Sequence, residues 1–492
     1  MTSLDSSLKL KVFSGVLWRV TEKVGANVVR FVVSIVLARL LAPEIFGVVA
    51  IVMAFISFAD LFVESGIVKS LIQNENVDEV DFSSVFYFTT AVSIALYVLL
   101  FFAAPVIASL FDYTQLTSIL RIMNLRLLLS GFNIAQSAYA SRTMQFKWFF
   151  WATSGAVVVS ASVAIFMAYA GFGVWVLVVN HLVSSVIYTT ILWFTLKWRP
   201  TLNFSWQRMK ILYSYGWKLF VSNIVFMVYG ELQTLSIGRF YTTTDLAFYS
   251  RGRAFPALIS DISTRMISSV TFPVISQKQK STESVKSMMR QSMSSMSYLI
   301  WPMMVGLVAV AEPLVLLLLT ETWIEAVPFL QIACICFALH PIHEVNVQAI
   351  NAIGRSDITL KLRIVKTIVG IAILLLAIRY GVIAIALSSI LTSVIFVFIN
   401  ILPTAKLINY KFAEQMADVL PYAGLSVIMF IAIYPLRFLQ MSDTLIVLLQ
   451  TVVGAGVYLL LSIITKVKAL YFISNTIKQF FGTHRKLRKS EK

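Results

Sequence analysis

Stretches of about twenty apolar residues, long enough to cross a lipid bilayer as helices, recur along this chain with only short polar breaks between them. The clearest are 46–62, 85–110, 149–170, 174–196, 297–319, 329–350, 364–378, 382–401, 422–436 and 445–464. Four more, 12–41, 116–140, 211–237 and 247–275, are apolar but carry charges. Together they predict an all-α integral membrane protein of about 14 transmembrane helices. Of the 492 residues 59% are hydrophobic and 13% charged, about half the charged share of a soluble domain. A water-soluble fold this apolar could not cover its surface with polar groups, so lipid is the expected solvent.

The formal net charge is +17. Its Lys and Arg residues fall mainly in short connections and in the tail 466–492, as expected of a protein held at an anionic leaflet rather than on nucleic acid. Counting helices from a cytoplasmic N-terminus puts Arg142/Lys147, Lys197/Arg199/Arg208/Lys210, Lys278/Lys280/Lys286/Arg290 and Arg355/Lys361/Arg363/Lys366 inside. Pro43-Glu44, Asp112, 171–173 and Glu321/Glu325 are left outside, nearly free of Lys and Arg. This positive-inside asymmetry, with an even number of spans, predicts that both termini are cytoplasmic. The acidic loop 75–81 runs against the pattern. The first apolar run carries charges and no small-residue cleavage site, so it reads as a retained helix rather than a signal peptide. Cys334 and Cys336 point about 200° apart around one helix and predict no disulfide with each other.

The chain also repeats itself at an offset of about two hundred residues. Gly173-Val-Trp-Val-Leu-Val-Val-Asn-His-Leu-Val-Ser-Ser-Val-Ile187 aligns with Gly381-Val-Ile-Ala-Ile-Ala-Leu-Ser-Ser-Ile-Leu-Thr-Ser-Val-Ile395, and Ala38-Arg39 before Glu44-Ile45 echoes Gly238-Arg239 before Asp245-Leu246. Helices one to six thus match seven to twelve, a parallel repeat because six is even. The expected organisation is an N-terminal lobe at 1–205, a C-terminal lobe at 206–412, two extra helices at 413–466 and a basic cytoplasmic tail at 467–492.

Ionisable groups at bilayer depth cost roughly 3 kcal/mol each even on a lenient insertion scale, so they usually face a cavity. Here they concentrate in the weaker helices of both repeats. Helix one carries Arg19, Glu22, Lys23 and Arg30 along one face; helix four Arg121 and Arg126; helix seven Lys218 and Glu231; helix eight Arg251, Arg253, Asp261 and Arg265. One reading is a cationic cavity between the halves, lined by Arg19, Lys23, Arg30, Arg121, Arg126, Arg251, Arg253 and Arg265 and suited to a multiply charged anion, because guanidinium forks match phosphate oxygens. The alternative is that Arg19, Arg30 and Arg251 snorkel to the interfaces while Asp261 and Arg265 form a structural pair. Matched helices in both repeats carry the charges, which favours the cavity.

Glu22, Asp60, Glu231, Asp261 and Glu344 are candidates to carry a coupling proton or Na⁺, with ion pairing to Arg as the alternative. Asp60 stands out because no basic residue lies three or four positions away. His340-Pro341-Ile342-His343-Glu344 has ligand-like residue types, but the Pro breaks helix spacing and no third ligand follows, so a polar kink is expected rather than a metal site. His181 reads as a hydrogen-bonded core residue, and Tyr229, Gln233, Asn27 and Asn346 as scattered polar groups for sugar contacts. No nucleotide loop, Ser/His/Asp set or zinc spacing is present, so neither a cofactor nor covalent catalysis is implied.

Val36-Leu-Ala-Arg-Leu-Leu-Ala-Pro-Glu-Ile-Phe-Gly47 resembles the segment leaving helix one in bacterial flippases of lipid-linked polysaccharide repeat units, the polysaccharide-transport branch of the multidrug/oligosaccharidyl-lipid/polysaccharide exporter superfamily. Asp245-Leu-Ala-Phe-Tyr-Ser-Arg-Gly-Arg-Ala-Phe-Pro256, Thr271-Phe-Pro-Val-Ile-Ser276, Thr322-Trp-Ile-Glu-Ala-Val-Pro-Phe-Leu-Gln331 and Asn351-Ala-Ile-Gly-Arg-Ser-Asp357 resemble its colanic-acid exporter subgroup. The resemblance implies two six-helix lobes around a V-shaped cavity, alternating access, and an undecaprenyl-diphosphate-linked oligosaccharide moved outward across the bacterial cytoplasmic membrane. It also implies cavity arginines on helices one and eight, here Arg19, Arg30, Arg251 and Arg253, and partners in polymer synthesis such as a polymerase and a chain-length regulator. The rival readings are a multidrug or cation antiporter of the same superfamily, which would line its cavity with acids and aromatics, and a membrane polysaccharide polymerase or glycosyltransferase, which would need a large loop or soluble domain.

Overall fold

The computed structural model describes residues 25–472 except 65–66, 68–69, 72–76 and 278–280, and leaves the side chains of 215–216, 218–219, 226 and 263–277 undescribed. Arg19, Glu22, Lys23, Lys278, Lys280, the tail beyond 472 and the side chains of Lys218 and Arg265 lie outside the described residues. Two compact units divide the chain, Met1–Ala247 and Phe248–Lys492.

In the first unit the chain forms α1 (25–40), α2 (Pro43–Glu64), α3 (Glu79–Leu110), α4 (Leu116–Met123), α5 (Leu125–Arg142), α6 (Phe146–Tyr169), α7 (Trp175–Thr195) and α8 (Trp206–Phe240). The expected run 116–140 is interrupted at Asn124, which separates α4 from α5. Small residues decide how closely these helices pack, because two lipid-facing helices gain little by burying apolar area against each other. Ala152, Ala156, Ser160 and Ala164 recur every fourth residue of α6 and are all buried on the side facing α7. Phe166, on another face of the same helix, is 73% exposed. That inversion of the soluble pattern recurs at Phe102, Phe194 and Leu376. The tightest approach is at Gly47, where an added Cβ would sit 1.7 Å from the Thr243 carbonyl oxygen. α8 packs on α2 and α3, which is why this unit runs past the 205/206 lobe boundary suggested by the repeat.

α9 (Thr243–Gln277) leads into the second unit, followed by α10 (Thr282–Ala309), α11 (Ala311–Leu318), a 3₁₀ turn (Glu321–Ala326), α12 (Val327–Ala338), α13 (His340–Ala352), α14 (Ser356–Ala377), α15 (Val382–Leu407), α16 (Phe412–Ile433) and α17 (Asp443–Ile464). Gly252 of α9 makes the close crossing here: a Cβ would fall 2.7 Å from Ala326 O and from Leu330 N. Pro341 at the start of α13 separates it from α12, the kink expected from the sequence. The closing pair, α16 and α17, is built into this unit. Fully buried Asn346, Thr404 and Gln415 join α13, α15 and α16, with Asn346 Nδ2 donating to Gln415 Oε1 at 2.8 Å and Thr404 Oγ1 to Asn346 Oδ1 at 2.5 Å. Lys286–Glu414 and Arg290–Asp418, both at 2.8 Å, clamp α10 to α16.

Ten helices among the described residues are long and apolar enough to cross a membrane, against the expected fourteen. Three of the remaining runs are helical, as α4–α5, α9 and α14, but are short or too rich in polar and charged residues to qualify on composition; 12–41 lies partly outside the described residues. The chain is an all-α, multi-pass membrane protein.

The acidic loop also finds its explanation. Asp78 caps α3 by accepting from Val80 N and Asp81 N, while Asp81 reaches back to Asp78 N. Arg208 then bridges Asp78 at 2.5 Å and Asp81 at 3.2 Å. The acids that broke the pattern therefore neutralise a base assigned to the same side. Arg239–Asp112 at 2.8 Å and Arg437–Glu312 at 2.5 Å likewise join ends that the alternation puts together.

Candidate functional site

Four helices of the first unit carry ionisable groups that act on one another. Asp60 of α2 and Arg126 of α5 form an ion pair at 3.1 Å, and both are about three-quarters buried. Arg126 is the second residue of α5 and Asp60 lies one turn before the end of α2, by helix rise roughly 24 Å from Arg142 and roughly 25 Å from Pro43. Among the described residues, the second guanidinium nitrogen of Arg126 reaches only the thioether of Met53, at 3.8 Å. Asp60 Oδ1 is buried without a hydrogen-bond partner. The positive charges of Arg126 and Arg30, the latter exposed on α1, both act on half-buried His181 of α7. Asp60, singled out because its own helix offered no base, is therefore paired across 66 positions of sequence.

Arg121 is held differently. Its guanidinium lies 4.3 Å from the centroid of the Phe101 ring and donates from Nε to Phe101 O at 3.2 Å, pinning α4 to α3. Gln233 is buried and donates to Tyr229 OH, so these two satisfy one another. Asn346, expected as a sugar contact, is instead fully enclosed in the α13–α15–α16 network.

In the second unit, aromatic rings hold the arginines of α9. Arg251 lies 5.5 Å from the ring centroid of fully buried Trp323, and Arg253 lies 5.2 Å from that of Tyr249 while donating to its hydroxyl. Phe248 and Tyr249 pack edge-on against Trp323 and Phe329, fixing the first turns of α9 on the 3₁₀ turn and α12. A ring face attracts a cation without neutralising it.

A further polar set gathers around the His340–Glu344 motif. Glu344 accepts from Gln348 at 2.7 Å, and His343 Nδ1 meets Asn400 Nδ2 of α15 at 2.9 Å. His340 feels Glu344, Asp261 of α9 and Lys366 of α14, and Lys366 feels Arg363 and Glu344. The motif is therefore part of a charged group drawn from three helices, rather than a lone kink. Arg363 and Lys366 were read as a cytoplasmic connection. Their spacing of three, with exposed Ile364, Val365 and Ile368 on the other side of α14, was the signal that they face inward. Among the described residues no group of three or more His, Cys, Asp or Glu is arranged to hold a metal. Glu231 of α8 is half-buried, with interactions to neighbouring groups.

Outside the membrane-spanning lengths, the Arg208 guanidinium hydrogen-bonded to Asp78 holds that carboxyl below the usual carboxylate range.

The family model for polysaccharide biosynthesis proteins matches residues 36–328. The succinoglycan biosynthesis transport protein ExoT of Rhizobium meliloti (strain 1021) is 28% identical over 64% of this chain and 63% of its own length. The chain thus spans less than two thirds of that relative. The lipopolysaccharide biosynthesis protein WzxC of Escherichia coli (strain K12) is 22% identical over 79% of this chain and 80% of its own. Among solved structures, the lipid II flippase MurJ in an inward closed conformation superposes with a TM-score of 0.77 and 16% identity, covering 92% of this chain and 99% of that one. An inward-facing multidrug resistance MATE family transporter superposes with a TM-score of 0.61 and 15% identity, covering 78% and 94%. These two likenesses establish a fold of the MurJ and MATE kind, and the match over 36–328, more than half of the 492 residues, establishes that the chain belongs to the polysaccharide biosynthesis protein family.

Proposed function

We propose that this protein is a transporter, not an enzyme, and that it flips polyprenyl-diphosphate-linked oligosaccharide repeat units outward across a bacterial cytoplasmic membrane by alternating access, for exopolysaccharide or lipopolysaccharide assembly. The observation that carries this reading is the pair of α9 arginines packed on uncharged rings, Arg251 on Trp323 and Arg253 on Tyr249, in a chain of the polysaccharide biosynthesis family. A diphosphate stays ionised at neutral pH, and its bare passage through hydrocarbon is prohibitive. Permanent cations offset that cost. Arg30 and Arg126 of the first unit, with Arg19 and Lys23 just before Arg30 in sequence, and Arg251, Arg253 and Arg265 from the α9 sequence supply them in each half. Arg121, already engaged by Phe101, contributes least. The full topology is fourteen spans in two six-helix repeats plus a closing pair, with both termini cytoplasmic and a polymerase and chain-length regulator as partners in assembly. Asp261 and Glu344, beside His340 and Lys366, are the strongest candidates for ion coupling. An exporter of organic cations would need acids where these bases stand.

Charge reversal tests the reading. R251E is expected to leave protein in the membrane at normal level, abolish surface polymer and trap lipid-linked repeat units on the cytoplasmic face. R251K retains partial export, because it keeps the charge and loses the forked donors. Unchanged polymer in R251E and R253E together would remove the cationic route.

A further inference from the structure

The Asp60–Arg126 pair differs from every other ion pair described in the first unit. Arg208 with Asp78, and Arg239 with Asp112, sit at helix ends where water screens both partners, and where Arg208 also meets buried Asp81 the guanidinium itself stays exposed. Asp60, one turn from the end of α2, and Arg126, in the first turn of α5, are each only about a quarter exposed. The carboxylate meets Arg126 with one oxygen, the other is buried without a hydrogen-bond partner, and the Ser130 side chain also acts on the carboxyl. A pair that served only to hold two helices would be expected to use both oxygens, since an unpaired buried acceptor costs free energy. Arg126 likewise spends one nitrogen on Asp60 and, among the described residues, offers another to nothing stronger than a thioether. The pair is half-made on both sides, and that suits a contact made and broken in each cycle.

A carrier that moves an anion on a fixed cation has a difficulty on the way back. Once the anion has left, the guanidinium must make the return at bilayer depth without a counter-charge, which is costly there. Arg30, also positively charged, acts together with Arg126 on His181 beside the pair, so the two cations add rather than cancel there. We propose that Asp60 is the stand-in counter-ion of the empty carrier: it neutralises Arg126 when no cargo diphosphate is bound and yields it when the cargo arrives. Asp60 then acts on the return step alone and has no part in recognising the sugar. This rests on the reading of Arg126 as a cargo-binding cation.

Return of the empty carrier is separable from cargo movement. The full-length protein is reconstituted into vesicles with a fluorescent polyprenyl diphosphate as probe. Net transfer is measured with probe in one leaflet only, which obliges the carrier to return empty, and exchange with probe in both leaflets, which does not. The wild type is expected to show similar rates in the two modes. D60N, isosteric and still able to accept a hydrogen bond from Arg126, should lower net transfer about tenfold or more while leaving exchange within about twofold. D60E should restore net transfer. R126Q/D60N, with neither charge, should lower both rates yet bring their ratio back to about one, and it keeps the test decisive if D60N alone does not accumulate. Equal loss of net transfer and exchange in D60N, or no loss in either, overturns the proposal. So does a wild-type net rate that follows an imposed proton gradient and loses that dependence in D60N, since Asp60 would then be titrating. A wild type that moves no diphosphate probe in either mode sinks the transport reading instead, a distinct result.

Discussion

The two units hold Arg126 and the arginines of α9 in different ways. In the first, Arg126 is met by a carboxylate at 3.1 Å. In the second, Arg251 and Arg253 of α9 lie against Trp323 and Tyr249. A carboxylate cancels charge and can be exchanged for another anion, whereas an aromatic face steadies the guanidinium plane and leaves its charge intact. Arg126 is charge-paired, whereas Arg251 and Arg253 are packed on rings.

Charge reversal should separate the halves most sharply. R126E sets two carboxylates against each other within the membrane, so it should lose folded protein as well as transport; R251E should lose transport, by at least about a hundredfold, with protein intact. Quantifying membrane-inserted protein alongside surface polymer reads both, and equal protein loss in the two variants would erase the distinction.

A middle-sized effect is expected at the ring beneath Arg251. W323F keeps an aromatic face but a weaker one, a difference of about 1 kcal/mol, which corresponds to roughly fivefold slower export. Export in W323F equal to wild type would mean that the ring packs α9 without steadying the charge. Because Trp323 is fully buried, W323A would confound this with a cavity.

The smallest effect belongs to the helix-end pairs of the first unit. The Asp78 carboxyl sits below its ordinary range because Arg208 is bonded to it, so the bond contributes stability above that range and loses it as pH falls through the lowered value. D78N should therefore lower the thermal midpoint slightly at neutral pH, by less than the D60N change, and make no difference in strong acid. The Asp78 carboxylate and the Arg208 guanidinium are both substantially exposed, which keeps the contribution near that of a surface pair. A D78N shift larger than that of D60N would reverse the ranking of screened and largely buried pairs.

Much of the architecture could be read from the chain. Apolar runs are visible because a bilayer demands about twenty such residues in succession, and the charged exceptions marked α1, α4–α5, α8 and α9 as the helices that interrupt the lipid-facing pattern. The acidic loop 75–81 and the placement of Arg363 and Lys366 were legible only in part. Their partners, Arg208 in one case and His340 and Glu344 in the other, come from distant segments.

What the sequence determined alone is whatever depends on residue type and on spacing within one helix: the membrane class, the breaks at Pro341 and between runs, and the presence of cations on weak helices of both repeats. What only the tertiary structure decided is which charge meets which. Asp60 has no base within a turn of its own helix, yet Arg126 reaches it from 66 positions away; Arg121 spends itself on Phe101; Asn346 closes a network with Thr404 and Gln415 instead of facing cargo. Helix rotation and depth set those encounters, and both follow from how small residues such as Gly47 and the Ala152–Ala156–Ser160–Ala164 stripe let neighbouring backbones approach. No local period encodes that approach, because its energy belongs to pairs of helices and not to either one.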